Sequence, residues 1–141
     1  MRGQRELIFK HALICEVAYE SLPRRDRVRM HGDVADWIER TFAGRRDEVL
    51  ELLAHHRAAA HRAGPSDELR TPAFNALADA AESAYARAGF ERALSLARAA
   101  LELAATPLER ARALETLGHA SFVTFDGSGA WESLREAAEA R

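Results

Sequence analysis

Polar and apolar positions follow the period of an α-helix along nearly the whole chain. Leu13, Ile14, Val17, Ala18 and Leu22 return at three- and four-residue steps, which predicts a helix from His11 to about Ser21. Before it, Glu6 to Lys10 is a short β-branched and aromatic patch, suited to a brief strand near Leu7 to Phe9 or an extended lead-in. Pro23 breaks the first helix and suits the first turn of the next. That second helix is expected from Pro23 to Phe42, with Val28, His31, Val34, Ile38 and Phe42 on its inner stripe, and Gly44 ends it. A third is expected from Asp47 to Arg62, burying Val49, Leu50, Leu53 and Ala54. Gly64-Pro65-Ser66-Asp67 opens the clearest linker, residues 64–71. Further helices are expected over Pro72 to Ala88, Phe90 to Ala104, Leu108 to Thr124 and Trp131 to Arg141, with Asp126 to Gly129 as a loop. The reading is an all-α protein of at least six helices covering roughly three-quarters of the residues.

The second half carries an internal repeat. Between Leu77 and Leu103, small residues stand at Ala81, Ala93 and Ala100, with an aromatic at Phe90. Two antiparallel helices approach closely only where such positions are small, and an aromatic near the turn fills the gap that remains. This segment resembles a tetratricopeptide (TPR) helical hairpin, and its closing Ala100-Leu101-Glu102-Leu103, followed by Pro107, strengthens the likeness. Leu117-Gly118-His119-Ala120 resembles the first helix of another repeat. Gly118 lies 37 residues after Ala81, near the 34-residue period of such repeats. The second repeat departs from the pattern with extra residues at Phe125 to Gly129 and is incomplete at Arg141. The resemblance implies antiparallel hairpins stacked into a right-handed superhelical solenoid, with a concave groove for a peptide or helix. From it, Asn75, Glu82, Tyr85, Arg112, Glu115 and His119 would line that groove.

Composition agrees with the helical reading. Of 141 residues, 30 are Ala, the best helix former. The 20 basic residues are 19 Arg and one Lys, a bias expected of a high-GC bacterial genome rather than of any chemistry. A formal net charge of −2 and a pI near 6.3 leave no chain-wide basic footprint for nucleic acid. One cysteine, Cys15, excludes an internal disulfide and a CxxC zinc site. No apolar run is long enough to span a membrane, and the N-terminal residues do not form a signal peptide, so a cytoplasmic location is expected.

Residues 6–60 carry a sharper resemblance. The runs Leu7-Ile8-Phe9-Lys10-His11-Ala12-Leu13-Ile14-Cys15, Arg27-Val28-Arg29-Met30-His31-Gly32-Asp33 and Glu51-Leu52-Leu53-Ala54-His55-His56 are similar to the segment after the ATPase core in bacterial STAND signalling ATPases. That family includes transcriptional regulators and proteins with a fused class III adenylate or guanylate cyclase domain. In it a winged-helix-like region leads into TPR repeats. The resemblance implies a connector over residues 1–63, a linker over 64–71 and TPR-like repeats over 72–141, as a fragment of a larger regulator. The implied partners are the parent's ATPase domain and a protein or peptide.

Candidate chemistry within the chain is sparse. No GxxxxGK[ST] loop is present, so the usual phosphate cradle of an ATPase is missing, and no GxGxxG or GxSxG motif occurs. No cofactor is expected. His11 and Cys15 stand four apart, a legitimate spacing for two metal ligands, but a packing seam continued by Tyr19 fits better. His55, His56 and His61 also invite a metal reading. The five-residue step from His56 to His61 puts those two on different faces, and one of His55 and His56 should face the core and take a local hydrogen bond. Arg24, Arg25, Arg27 and Arg29 give residues 1–30 seven basic side chains against four acidic ones, a local +3. They support an alternative reading, a DNA-binding helical regulator. A third reading is an enzyme with a histidine-based site. The leading one is a non-catalytic interaction segment of a signalling protein. Exposed apolar ends, with Leu7, Ile8 and Phe9 at one and Trp131, Leu134, Ala137 and Ala138 at the other, predict a homodimer.

Overall fold

The computed structural model describes residues 12–141, with side chains from Glu16 onward. Among these residues the chain is 85% helical, with eight helical segments and no strand. The seven α-helices are α1 (Ala12–Glu20), α2 (Arg24–Thr41), α3 (Leu50–Ala63), α4 (Asp67–Ala86), α5 (Phe90–Leu103), α6 (Pro107–Val123) and α7 (Gly127–Glu139). A 3₁₀ turn, Ala43–Glu48, joins α2 to α3. The expected strand at Leu7 to Phe9 lies outside the described residues. No described helix is long and apolar enough to cross a membrane.

From α2 to α7 each helix packs mainly on its neighbours in the chain, and α4 also meets α6. Small side chains permit this closeness. Ala81, Ala93, Ala97 and Ala100 are buried where α4 and α5 meet, as expected of a helical hairpin. Phe74, Ile38 and Leu53 are the largest fully buried side chains. The core they belong to is continuous from α2 to α6. At Gly118 the approach of α7 is closest. A Cβ there would stand 2.6 Å from Leu134 Cγ, so only hydrogen fits without a shift.

Helix ends follow local chemistry. Thr106 caps α6 by accepting from the Glu109 N–H, Glu109 answers through the Thr106 N–H, and Pro107 takes the first helical position as expected. Between α4 and α5 the chain turns at Ala88-Gly89, with the left-handed conformation on Ala88 (φ 61°). Gly89 is needed for another reason. Its N–H donates to the Ala84 carbonyl at 2.8 Å, and a Cβ would lie 3.2 Å from that oxygen.

Several expected boundaries shift. Helix α4 begins at Asp67, so the expected linker of residues 64–71 shrinks to Gly64, Pro65 and Ser66. The Ser66 side chain accepts from the Leu69 N–H, and Asp67 and Glu68 sit in the favourable first turn, which carries the helix through Pro72. Pro23 flanks α2 as its N-cap instead of opening it. Helix α3 starts at Leu50, three residues later than expected, because Asp47 and Glu48 belong to the 3₁₀ turn. Helix α7 starts at Gly127, inside the expected loop, since the Asp126 carboxylate accepts from the Gly129 N–H. On α2 the buried positions are Ala35 and Ile38, while Val34 is 37% exposed. Val49 is half-buried, whereas Leu50, Leu53 and Ala54 are buried as expected.

Candidate functional site

The residues named for the groove sit on one face of α4 and α6. On α4, Asp79, Glu82 and Tyr85 are spaced by three, so their side chains rise along one stripe. On α6, Arg112, Glu115, Thr116 and His119 do the same. Glu82, Tyr85, Arg112, Glu115, Thr116 and His119 enclose a shallow cavity of about 230 Å³. Five of the six expected groove residues therefore meet around one cavity. The sixth, Asn75, is exposed on α4 and lies outside its lining.

Charge orders this face. Arg112 donates through Nε to Glu82 at 2.7 Å and through Nη2 to Asp79 at 2.8 Å. Its guanidinium is held more firmly protonated than usual, chiefly by Glu82, against the opposing effect of burial, with Asp79 adding to the hold. Arg46 donates to the other Asp79 oxygen at 2.7 Å, which ties the 3₁₀ turn to α4. Tyr85 lies against His119, ring centroids 6.0 Å apart, and against Phe90 at 5.6 Å. Two further hollows adjoin the first. One of about 410 Å³ shares Glu82 and reaches Arg46, Asp47 and Leu50. The other, of about 240 Å³, shares Glu115 and reaches Leu134 and Arg141. Arg141 is hydrogen-bonded to Glu115. The result is one strip across the 3₁₀ turn, α4, α6 and α7, with acidic and basic side chains alternating along it.

No family model, no curated protein and no solved structure matches the chain. The geometry and the residues therefore carry the reading.

The remaining candidates fall elsewhere. Among the described residues no group of three or more His, Cys, Asp or Glu side chains could hold a metal ion. The His11–Cys15 pair lies outside the described side chains. His56 is half-buried while His55 is exposed. The partner of His56 is not local: its Nδ1 lies 2.9 Å from Nδ1 of His31, 25 residues earlier on α2. Nε2 of His31 lies 2.9 Å from the Tyr19 hydroxyl on α1. This chain of hydrogen bonds is satisfied if the Tyr19 hydroxyl donates to Nε2 of His31 and Nδ1 of His31 donates to His56. Burial, first, and then the neighbouring charge on His55 and Arg62 hold His31 below its ordinary pKa. His56 is lowered by burial and by His31 and His55. Sequence reasoning missed this cluster because its members are distant in the chain, and only His31 on the inner stripe of α2 hinted at it. His61 stands apart, with a buried Nδ1 that lacks a hydrogen-bond partner among the described residues.

The arginines after Pro23 do not form one surface. Arg24 and Arg25 are exposed. Arg29 pairs with Asp33 at 3.6 Å and Asp26 at 4.0 Å. Arg27 turns inward, its guanidinium 5.4 Å from the centre of the Tyr19 ring. At the other end of the chain, Trp131 is 70% exposed, Leu134 half-buried and Ala137 buried.

Proposed function

We propose that this chain is a non-catalytic, TPR-like helical-repeat segment of a larger cytoplasmic bacterial signalling regulator. It binds a protein or peptide along the strip formed by the 3₁₀ turn, α4, α6 and α7. The observation that carries this reading is the convergence of Glu82, Tyr85, Arg112, Glu115 and His119 around one cavity, from positions assigned by the repeat pattern alone. The order of packing supports it too, since a solenoid places each helix on its chain neighbours and each hairpin's first helix on the next, as α4 on α6. Coupling to an ATPase or cyclase domain rests on the resemblance of residues 6–60. The strip suits an extended segment bearing both signs of charge, because Arg112 and Arg46 are already paired with carboxylates and a strongly acidic partner would have to displace them.

The test is selection of peptides from a random library against the whole chain, followed by titration of the best binders by fluorescence anisotropy. Tyr85→Ala and Arg112→Glu should each weaken them about tenfold or more, the loss expected at a central aromatic or arginine contact. Arg98→Ala, on the exposed side of α5, should leave them unchanged. Binders that ignore Tyr85, Arg112 and His119 would overturn the reading.

A further inference from the structure

A second cavity, of about 470 Å³, opens where α1, α2 and α3 meet. Tyr19, Arg27, His31, His55 and Arg62 line its polar side, and Ala59 and Ala63 form an apolar floor. Its chemistry differs from that of the three arginine-bearing hollows along the strip, each of which is also lined by carboxylates. Most arginines from α3 to α7 meet carboxylates: Arg57 meets Asp36 and Glu39, Arg70 meets Glu109, Arg92 meets Glu51, and Arg110 meets Glu136. Here no carboxylate of the described residues lines the space. Neither Arg27 nor Arg62 forms an ion pair among the described residues, although Asp26 is adjacent in sequence, where it is spent on Arg29.

We propose that this cavity binds a small phosphate-bearing anion. Four lines of physical reasoning meet in it. First, among the described residues the lining holds two permanent positive charges and no negative one, so the field inside favours an anion and repels a metal cation. Second, Arg27, which lines the cavity, carries a buried Nε with no hydrogen-bond partner among the described residues, so its side chain holds an unsatisfied donor. Third, Arg27 lies over the Tyr19 ring, an arrangement that fixes the plane of the guanidinium and so fixes where an oxyanion would bind side-on. Fourth, His55 stands beside His31 with the ring centroids 6.2 Å apart, and its imidazole adds a polar group to the cavity wall that His31, already bonded to Tyr19 and His56, does not supply. The groups that face His31 are Tyr19 from α1, Arg27 on its own helix, and His55, His56 and Arg62 from α3; none is acidic. The volume exceeds that of a bare phosphate and lies in the range of small-molecule sites, so the apolar floor has room for an organic body attached to the phosphate.

This inference is independent of the peptide strip, which lies on α4 and α6. The test uses the whole chain in phosphate-free buffer at low salt. Inorganic phosphate, pyrophosphate and glucose 6-phosphate are titrated in turn by calorimetry, with glucose as the uncharged control. Saturable binding of at least one phosphate probe is expected, and none of glucose. If glucose 6-phosphate binds more tightly than inorganic phosphate, the floor of Ala59 and Ala63 takes the organic body; equal affinities mean that the phosphate group alone is held. Arg27→Gln and Arg62→Gln should each weaken binding roughly 10- to 100-fold, the loss of one charge-assisted hydrogen bond, while Arg98→Gln should not. Because Arg27 is half-buried, histidine ring NMR on the unaltered chain provides a second readout. The His31 and His55 signals should shift on adding the probe while that of His119 stays. Absence of saturable binding by all three probes overturns the proposal, as does binding that survives both substitutions or leaves the His31 and His55 signals in place.

Discussion

Arginine has opposite fates at the two ends of this molecule. On the α4–α6 face, Arg112 is gripped by Glu82 and Asp79, and Asp79 in turn by Arg46. Around α1 to α3, Arg27 and Arg62 face histidines and a tyrosine, and burial holds His31 and the adjoining His56 below their ordinary pKa. The first region is electrostatically complete without a ligand, so its charges order the surface and set which partners fit. The second is incomplete, so its charges ask for something from solution. The lesson is that the count of basic residues says little. What matters is whether the fold delivers a carboxylate to each.

The comparison breaks most heavily where the matched region is most buried. Arg70 donates to the Glu109 carboxylate at 3.0 Å and to the Leu103 carbonyl at 2.9 Å, while Glu109 also accepts from the Ala105 and Thr106 N–H groups. Burial would raise the Glu109 carboxyl, but the Ala105 N–H, Arg70 and the Thr106 N–H together hold it below the usual carboxylate range. Glu109→Ala removes the capping box and strands Arg70, and should cost about 2–4 kcal/mol in urea unfolding. A loss well under 1 kcal/mol would mean that this pair is ornamental.

Packing comes next. Ala93 is fully buried against α4, so Ala93→Leu should overpack the hairpin and cost about 1–3 kcal/mol. An unchanged melting temperature would contradict the close α4–α5 approach.

The two regions should also part on acidification. His31 and His56 have lowered folded values, so each binds fewer protons folded than unfolded. Their contribution is therefore whole above the ordinary value of 6.5 and is lost as the pH falls below it through the folded values. Glu109, also lowered, acts in a separate and more acidic window, below its ordinary 4.5. Urea midpoints of the native chain, measured as the pH is lowered from 6.5 towards 4.5, should fall through the histidine window. The slope should flatten in His31→Gln; a slope that survives this substitution would assign it elsewhere.

The smallest expected effect is a gain. Ala88 sits in the left-handed region, a strain that glycine would not feel. Ala88→Gly should stabilise the chain by about 0.5–1 kcal/mol in the same assay.

How far the sequence reveals this molecule depends on distance along the chain. Helix α6 was legible to within one residue, Leu108 expected and Pro107 observed, because the helical period runs unbroken through it. Helix α4 was misplaced because Pro72 reads as a breaker, whereas the decisive group is the Ser66 hydroxyl six residues earlier. Asp126 hid the start of α7 in the same way, behind glycines that read as a loop. On α2 the large residues suggest one stripe, but Ala35 packs where Val34 was expected, since a small side chain leaves little trace in a hydrophobic pattern. The strip on α4 and α6 was readable only through the resemblance to a helical repeat, which assigns its members to two neighbouring helices. The α1–α3 cavity was not, because it joins Tyr19, His31 and Arg62 across the fold and nothing local marks them as neighbours.

The Arg70–Glu109 joint also has a mechanical meaning. It clasps the start of α4, the end of α5 and the start of α6 at one point, with both side chains largely shielded from water. Tension along the stack would therefore pass through a charged clasp as well as through alanine contacts. The helices from α4 to α6 should yield together as one block under load, whereas α1, exposed along Glu16 to Glu20, should peel away first.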